Sequence, residues 1–127
     1  MKRRIIDFAK ERSECLLRNF RESLARQSRI SMKRAFQDAA EAPAPRFWVS
    51  EARAMRVVTR LMTGEDLTEG MYPEKRKMYL EIYGRVMEQK KREPEKPLGD
   101  IVFEVVNDAA PSSYLSWDRA GRIIRGI

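Results

Sequence analysis

The sequence predicts an all-α protein, a single domain of five or six helices with an internally duplicated helix–loop–helix unit. Three observations carry that prediction. Apolar residues recur at helical spacing along most of the chain, as in Ala54, Val57, Val58, Leu61 and Met62. Proline-bearing segments, EAPAP at 41–45 and EPEKP at 93–97, interrupt the pattern, because proline lacks a backbone donor and restricts the residue before it. Segment 44–58 also matches segment 110–124 at an offset of 66 residues.

The elements follow in chain order. Residues 4–26 carry Ile5, Phe8, Ala9, Leu16, Phe20 and Leu24 mainly on one stripe, with basic residues elsewhere. Arg12 and Ser13 interrupt the stripe, so a bend or partial packing is expected there. Ser31 is placed to cap a second helix, with Met32, Ala35, Phe36 and Ala39 at i, i+3, i+4, i+7. Ser50 caps a third, Glu51 suits its positive end, and Gly64 suits the position just past its C-terminus. Pro73 fits the first position of a fourth helix, whose apolar pairs Met78/Tyr79, Ile82/Tyr83 and Val86/Met87 recur every four residues.

Residues 98–107 resemble a strand by propensity, since IVFEVV is rich in β-branched residues. Yet Leu98, Ile101, Val102, Val105 and Val106 keep helical spacing, so a helix is expected, with Pro97 at its first position and Asn107 at its end. Ser116 caps a last helix with Ala120, Ile123, Ile124 and Ile127 facing inward.

The internal match reads APRFWVSEARAMRVV against APSSYLSWDRAGRII. Six of fifteen positions are identical: Ala44/Ala110, Pro45/Pro111, Ser50/Ser116, Arg53/Arg119, Ala54/Ala120 and Arg56/Arg122. With one residue gapped, Phe36 pairs with Phe103 upstream. The expected organisation is a basic N-terminal helix (1–30), a first repeat unit (31–63), a central basic helix (73–93) and a second repeat unit (97–127). Most repeated residues have packing tasks: proline stops a helix, the aromatic–aliphatic pair staples onto the next, and alanine permits close approach. The arginines do not. Arg53, Arg56 and Arg60 fall within about 60° on a helical wheel, away from the apolar stripe. Arg119 and Arg122 repeat the first two positions, and Arg125 extends the same face by about 60°.

Charge suggests a partner. The net charge is +7, and residues 1–36 alone hold 11 basic and 4 acidic residues. Residues 74–96 add 8 and 5, and the remaining segments are slightly acidic. A polyanion is the natural partner of such a field, DNA before RNA. Candidate contacts on the N-terminal helix are Arg3, Arg4, Arg12 and Arg18; on the central helix they are Lys75, Arg76, Lys77, Lys90, Lys91 and Arg92. The repeat arginines Arg53, Arg56, Arg60, Arg119, Arg122 and Arg125 are candidates for orientation or readout, in the manner of helix-turn-helix proteins. The alternative is a solvated or acid-paired face, and a loop of about eight residues is long for that motif.

Catalysis has little support. The chain has no histidine and one cysteine, Cys15, so the commonest general base and metal ligand are missing. No disulfide can form within the chain, and a reducing, cytoplasmic setting is expected. No glycine-rich phosphate loop, Cys/His cluster or nucleophile–base pair is present. Asp100 and Glu104, spaced i, i+4, are a weak cation signal. The expectation is no enzyme, no cofactor, no metal and no membrane partner, with a homo-oligomer left open.

The pattern PAPRFWVS (43–50) followed by a short amphipathic helix resembles small basic proteins encoded by phages and mobile elements of gut Bacteroidales. The resemblance covers residues 35–127 and carries no activity and no residue assignment. It implies a setting in a bacterial host cell where DNA handling is a reasonable task, or, as the alternative, a phage structural or assembly component that could reside in the virion.

Overall fold

The computed structural model describes residues 2–127, with side chains from Phe8 onward. Among these the chain forms six helices: α1 (Lys2–Arg26), α2 (Met32–Glu41), α3 (Glu51–Met62), α4 (Pro73–Arg92), α5 (Leu98–Val106) and α6 (Trp117–Arg125). The only pairing of extended chain described is a single antiparallel bridge between Ala44 and Ala110. The residues 98–106 are helical because the alternation a half-buried strand requires is absent, whereas Ile101, Val102, Val105 and Val106 bury together as one helical stripe.

Local signals set the ends. Ser31, Ser50 and Ser116 each accept, through Oγ, the backbone N–H three residues on: Arg34 at 3.2 Å, Arg53 at 3.1 Å and Arg119 at 3.1 Å. Each bond satisfies one donor that the first helical turn would leave unpaired. Gly64 follows the α3 cap with φ +90°, a conformation that costs glycine little. Pro73 opens α4, and Asn107 closes α5. Pro97 sits one place earlier than expected: it is the cap residue at φ −58°, ψ 139°, and the helix begins at Leu98. We expect Ser50→Ala and Ser116→Ala each to lower the unfolding free energy by about 1 kcal/mol. Losses that differ severalfold between the two, measured in urea, would contradict their equivalence.

The contacts divide the chain into two units, and the division cuts across both repeat segments. Unit 1 comprises residues 1–44 and 109–127; unit 2 is the continuous stretch 45–108. Unit 1 therefore holds α1, α2 and α6, and unit 2 holds α3, α4 and α5. The repeat segment 31–63 is thus divided, with α2 in one unit and α3 in the other; 97–127 is divided in the same way. Each unit therefore takes one helix from each repeat segment: α2 and α6 in unit 1, α3 and α5 in unit 2.

Unit 1 packs Leu16, Phe36, Ala39, Ala40, Ala120 and Ile124 into one buried cluster, with Leu17, Phe20, Leu115 and Ile123 at its edge. The Phe20 and Phe36 rings stack 5.1 Å apart. Gly121 lets α6 approach: a Cβ there would stand 3.0 Å from the Phe36 ring. Inside the helix pair, buried Ser23 donates to Asp38 Oδ2 at 2.7 Å and accepts from Gln27 at 3.1 Å, so its hydroxyl is satisfied. Unit 2 buries Phe47, Val58, Tyr79, Ile82, Val86, Ile101, Val102 and Val106. The Tyr79 hydroxyl accepts from Arg53 Nε at 3.2 Å.

Several positions 66 residues apart share their burial and hydrogen bonding. Leu16 and Ile82, Ala35 and Ile101, Phe36 and Val102, Ala39 and Val105, Ala40 and Val106, Ala54 and Ala120, and Val58 and Ile124 are buried at both positions. In unit 1 the Ser113 N–H donates to the Ala40 carbonyl at 2.9 Å; in unit 2 Phe47, 66 residues before Ser113, donates to Val106 at 3.0 Å. Ala44 and Ala110, themselves 66 apart, exchange both bonds at 2.9 and 2.8 Å. The gapped match of Phe36 with Phe103 does not hold, because Phe36 is 3% exposed and Phe103 is 51% exposed. Other expectations also fail at the margins. Met32, Met62 and Ile127 lie outward rather than in the stripe, each within one residue of a helix end or beyond it, where a short helix has no neighbouring turn to cover it.

Candidate nucleic-acid interface

The two units differ in charge. Unit 1 holds 14 basic and 7 acidic residues, a net +7; unit 2 holds 12 of each and is neutral. The whole net charge of the chain belongs to α1, α2, α6 and their loops.

That division separates the candidates. Arg12, Arg18, Arg119, Arg122 and Arg125 lie in unit 1; Arg3 and Arg4 belong to α1, but their side chains lie outside the described residues. Arg53, Arg56, Arg60, Lys75, Arg76, Lys77, Lys90, Lys91 and Arg92 lie in unit 2. The central helix is less positive in its surroundings than in its sequence. Arg76 Nε donates to Thr68 Oγ1 at 3.2 Å, and the guanidinium pairs with Asp66 at 3.5 Å. The Asp66 carboxyl is held below its ordinary range, first by the Thr68 hydroxyl and backbone N–H and then by Arg76. Arg60 meets Glu65 at 2.8 Å, and Lys90 donates to the Lys96 carbonyl at 2.8 Å. Lys75, Lys77, Lys91 and Arg92 remain exposed.

Of the repeat arginines, Arg56 is exposed and Arg53 is exposed with its Nε on Tyr79. Arg122 pairs with Asp118 one turn earlier, and Arg125 lies over the Phe36 ring at 5.2 Å. Arg119 is exposed. Arg12 differs from the rest. Its guanidinium stacks over Phe8 at 5.5 Å, and its Nε is buried without a hydrogen-bond partner among the described residues. Burial, and then repulsion from Arg119, lower its pKa.

Sequence reasoning passed over several unit 1 cations. Lys10, Arg21, Arg26, Arg29 and Lys33 are exposed on the same unit. Lys33 Nζ stands 4.9 Å from the Trp117 ring centroid, joining α2 to α6. The signal was present in the charge of residues 1–36, but singling out residues by clusters on one helix overlooked the spread-out ones.

Cys15 is buried, which raises its thiol pKa, although Arg18 and Asn19 oppose the shift; a thiol so placed is a poor nucleophile. Glu104, a weak cation candidate with Asp100, already takes Lys96 at 2.6 Å and Gln89 at 2.8 Å. No described helix is long and apolar enough to cross a membrane. Unit 2 carries an open groove beside α4 and α5, where Leu80 and Phe103 are exposed among Glu81, Arg85 and Gln89. No family model matches the chain, and no curated protein or solved structure matches it.

Proposed function

We propose that this chain is a non-enzymatic nucleic-acid-binding protein whose interface is unit 1, acting in a phage or mobile-element setting in the host cytoplasm. The observation that carries the reading is the charge division: the entire net +7 lies on unit 1 and none on unit 2. Exposed arginines and lysines spread over three helices suit a polyanion with many phosphates better than a single small anion. Arg119 and Arg122, on a short helix capped by Ser116, are the residues for orientation or readout, in a helix-turn-helix-like role taken by α6. DNA is the first ligand to try.

The test is binding of labelled duplex DNA to the full chain across a salt series. Log affinity should fall with log salt at a slope of about 0.9 per neutralised phosphate. The triple variant Arg18→Ala, Arg21→Ala, Arg26→Ala should flatten that slope by about 1 or more and weaken binding at least about tenfold. A matched triple variant in unit 2, Lys75→Ala, Lys77→Ala, Lys91→Ala, should change affinity by less than about threefold, since a neutral unit attracts the polyanion weakly. Equal losses from both triples would sink the assignment to unit 1.

A second reading is an assembly component, favoured by the exposed Phe103 and Leu80 on a neutral unit. Apolar contacts are not screened, so it requires a defined oligomer that survives high salt, together with no salt-dependent DNA binding.

A further inference from the structure

The two units place different side chains at positions 66 residues apart, and one difference has the chemistry of a binding site. In unit 2, Arg53 reaches from α3 to α4, where its Nε donates to the Tyr79 phenol oxygen at 3.2 Å. The residue before Tyr79 is Met78, which is 6% exposed. The corresponding residues of unit 1 are Arg119 for Arg53, Ser13 for Tyr79 and Arg12 for Met78. Helices α1 and α6 pack together in unit 1, as α3 and α4 do in unit 2. Unit 1 therefore replaces a phenol by a small hydroxyl and a buried methionine by a second guanidinium.

Stacking on Phe8 gives the Arg12 side chain an apolar contact but no hydrogen-bond acceptor. Methionine fills the position in unit 2 with no charge to desolvate. In unit 1 the Arg12 guanidinium is partly buried, its Nε has no acceptor among the described residues, and among those residues Arg119 is the charge that acts on it. A partly desolvated guanidinium with one donor unmet among the described residues, under repulsion from a second arginine, is eased by an anion. Arg119 adds to the imbalance: it is the third residue of a helix whose positive end disfavours a cation, where glutamate or glutamine would complete a capping box. No described carboxylate pairs with the side chain of either arginine. Arginine presents planar, forked donors that suit the oxygens of a phosphate.

We propose that Arg12 and Arg119, with the Ser13 hydroxyl, form an oxyanion-binding site for a phosphate group, an anion oxygen taking the acceptor role that the Tyr79 phenol fills for Arg53 in unit 2. The natural ligand, a nucleic-acid phosphodiester, rests on the function proposed above; the site itself requires only the phosphate chemistry, which free phosphate shares.

The experiment uses the full chain and two probes. In the first arm, thermal melting is followed in inorganic phosphate and in chloride at matched ionic strength. The wild-type chain should melt about 3 °C or more higher at saturating phosphate. Arg12→Met, which copies the unit 2 residue, should melt in chloride at least as high as wild type and lose the phosphate increment. Arg119→Ala, a change at an exposed side chain, should also lose the increment, while Lys75→Met in unit 2 should keep it. In the second arm, Arg12→Met should weaken duplex DNA binding about tenfold and lower the salt slope by about 1. The site is overturned if wild type shows no phosphate increment, if the increment survives both arginine changes, or if Arg12→Met melts lower in chloride. A phosphate increment lost in both variants, with no DNA binding by wild type, leaves the site standing and removes the nucleic-acid reading. Wild-type DNA binding that Arg12→Met leaves unchanged, with no phosphate increment, does the reverse.

Discussion

Ile82→Ala is expected to bring down unit 1 together with unit 2. Ile82 is fully buried in α4, and removing its side chain should cost unit 2 roughly 2–5 kcal/mol. The larger effect follows from connectivity. Unit 1 is discontinuous, and its two parts are joined through the 64 residues of unit 2. When unit 2 is folded, its ends are already fixed near each other, as the 3.0 Å bond from the Phe47 N–H to the Val106 carbonyl shows. When it unfolds, α6 must find α1 and α2 at the end of a flexible loop. Closing a loop of that length costs about 4 kcal/mol by the logarithmic rule, apart from a constant term. That is comparable to what a core of this size supplies. Hydrogen exchange followed across a urea series, resolved by helix, provides the check. In the variant, α2 and α6 should lose protection no later than α4 and α5, at a lower urea concentration than in wild type. Protection of α2 and α6 that outlasts α4 and α5 would show that unit 1 closes without help from unit 2.

Phe36→Ala should have the opposite pattern, with unit 1 opening while unit 2 persists. Phe36 is the centre of the unit 1 cluster: Phe20 stacks on one side at 5.1 Å and the Arg125 guanidinium lies 5.2 Å from its ring centroid. The α6 backbone also comes close at Gly121, where even a Cβ would be crowded by the ring. Truncating such a side chain costs about 3–5 kcal/mol, and the lost aromatic stacking adds to it. Unit 1 is small, so this removes most of its stability. Unit 2 is continuous in sequence and needs no segment of unit 1 to close its chain. The same exchange measurement should therefore show α2 and α6 unprotected while α4 and α5 retain wild-type protection. Simultaneous loss in all four helices would contradict the connectivity argument.

The contrast between these variants shows which level of structure the sequence specified. By itself the sequence determined the helices and their ends. Ser31, Ser50 and Ser116 satisfy donors within one turn, Gly64 adopts a backbone conformation suited to glycine, and the stripe of Ile101, Val102, Val105 and Val106 overrides the strand propensity of the same residues. These are short-range effects, so a window of a few residues contains their causes. The sequence also displayed the offset of 66 and the positive N-terminal segment, though the alignment gap at Phe103 could be rejected only once Phe36 was seen inside and Phe103 outside. Tertiary structure alone decided that α3 joins α4 and α5 while α6 joins α1 and α2. An amphipathic stripe states that a face is buried and not against what, and α3 and α6 carry nearly the same stripe. Either could serve either partner by pattern, so the choice falls to the connecting chain and the long-range fit of side chains such as Phe36 against Gly121. The same choice decided the candidate interface. It left the central basic helix in a unit whose acids balance it, and it brought Arg119 within electrostatic reach of Arg12, more than a hundred residues away in sequence, where no periodicity could have paired them.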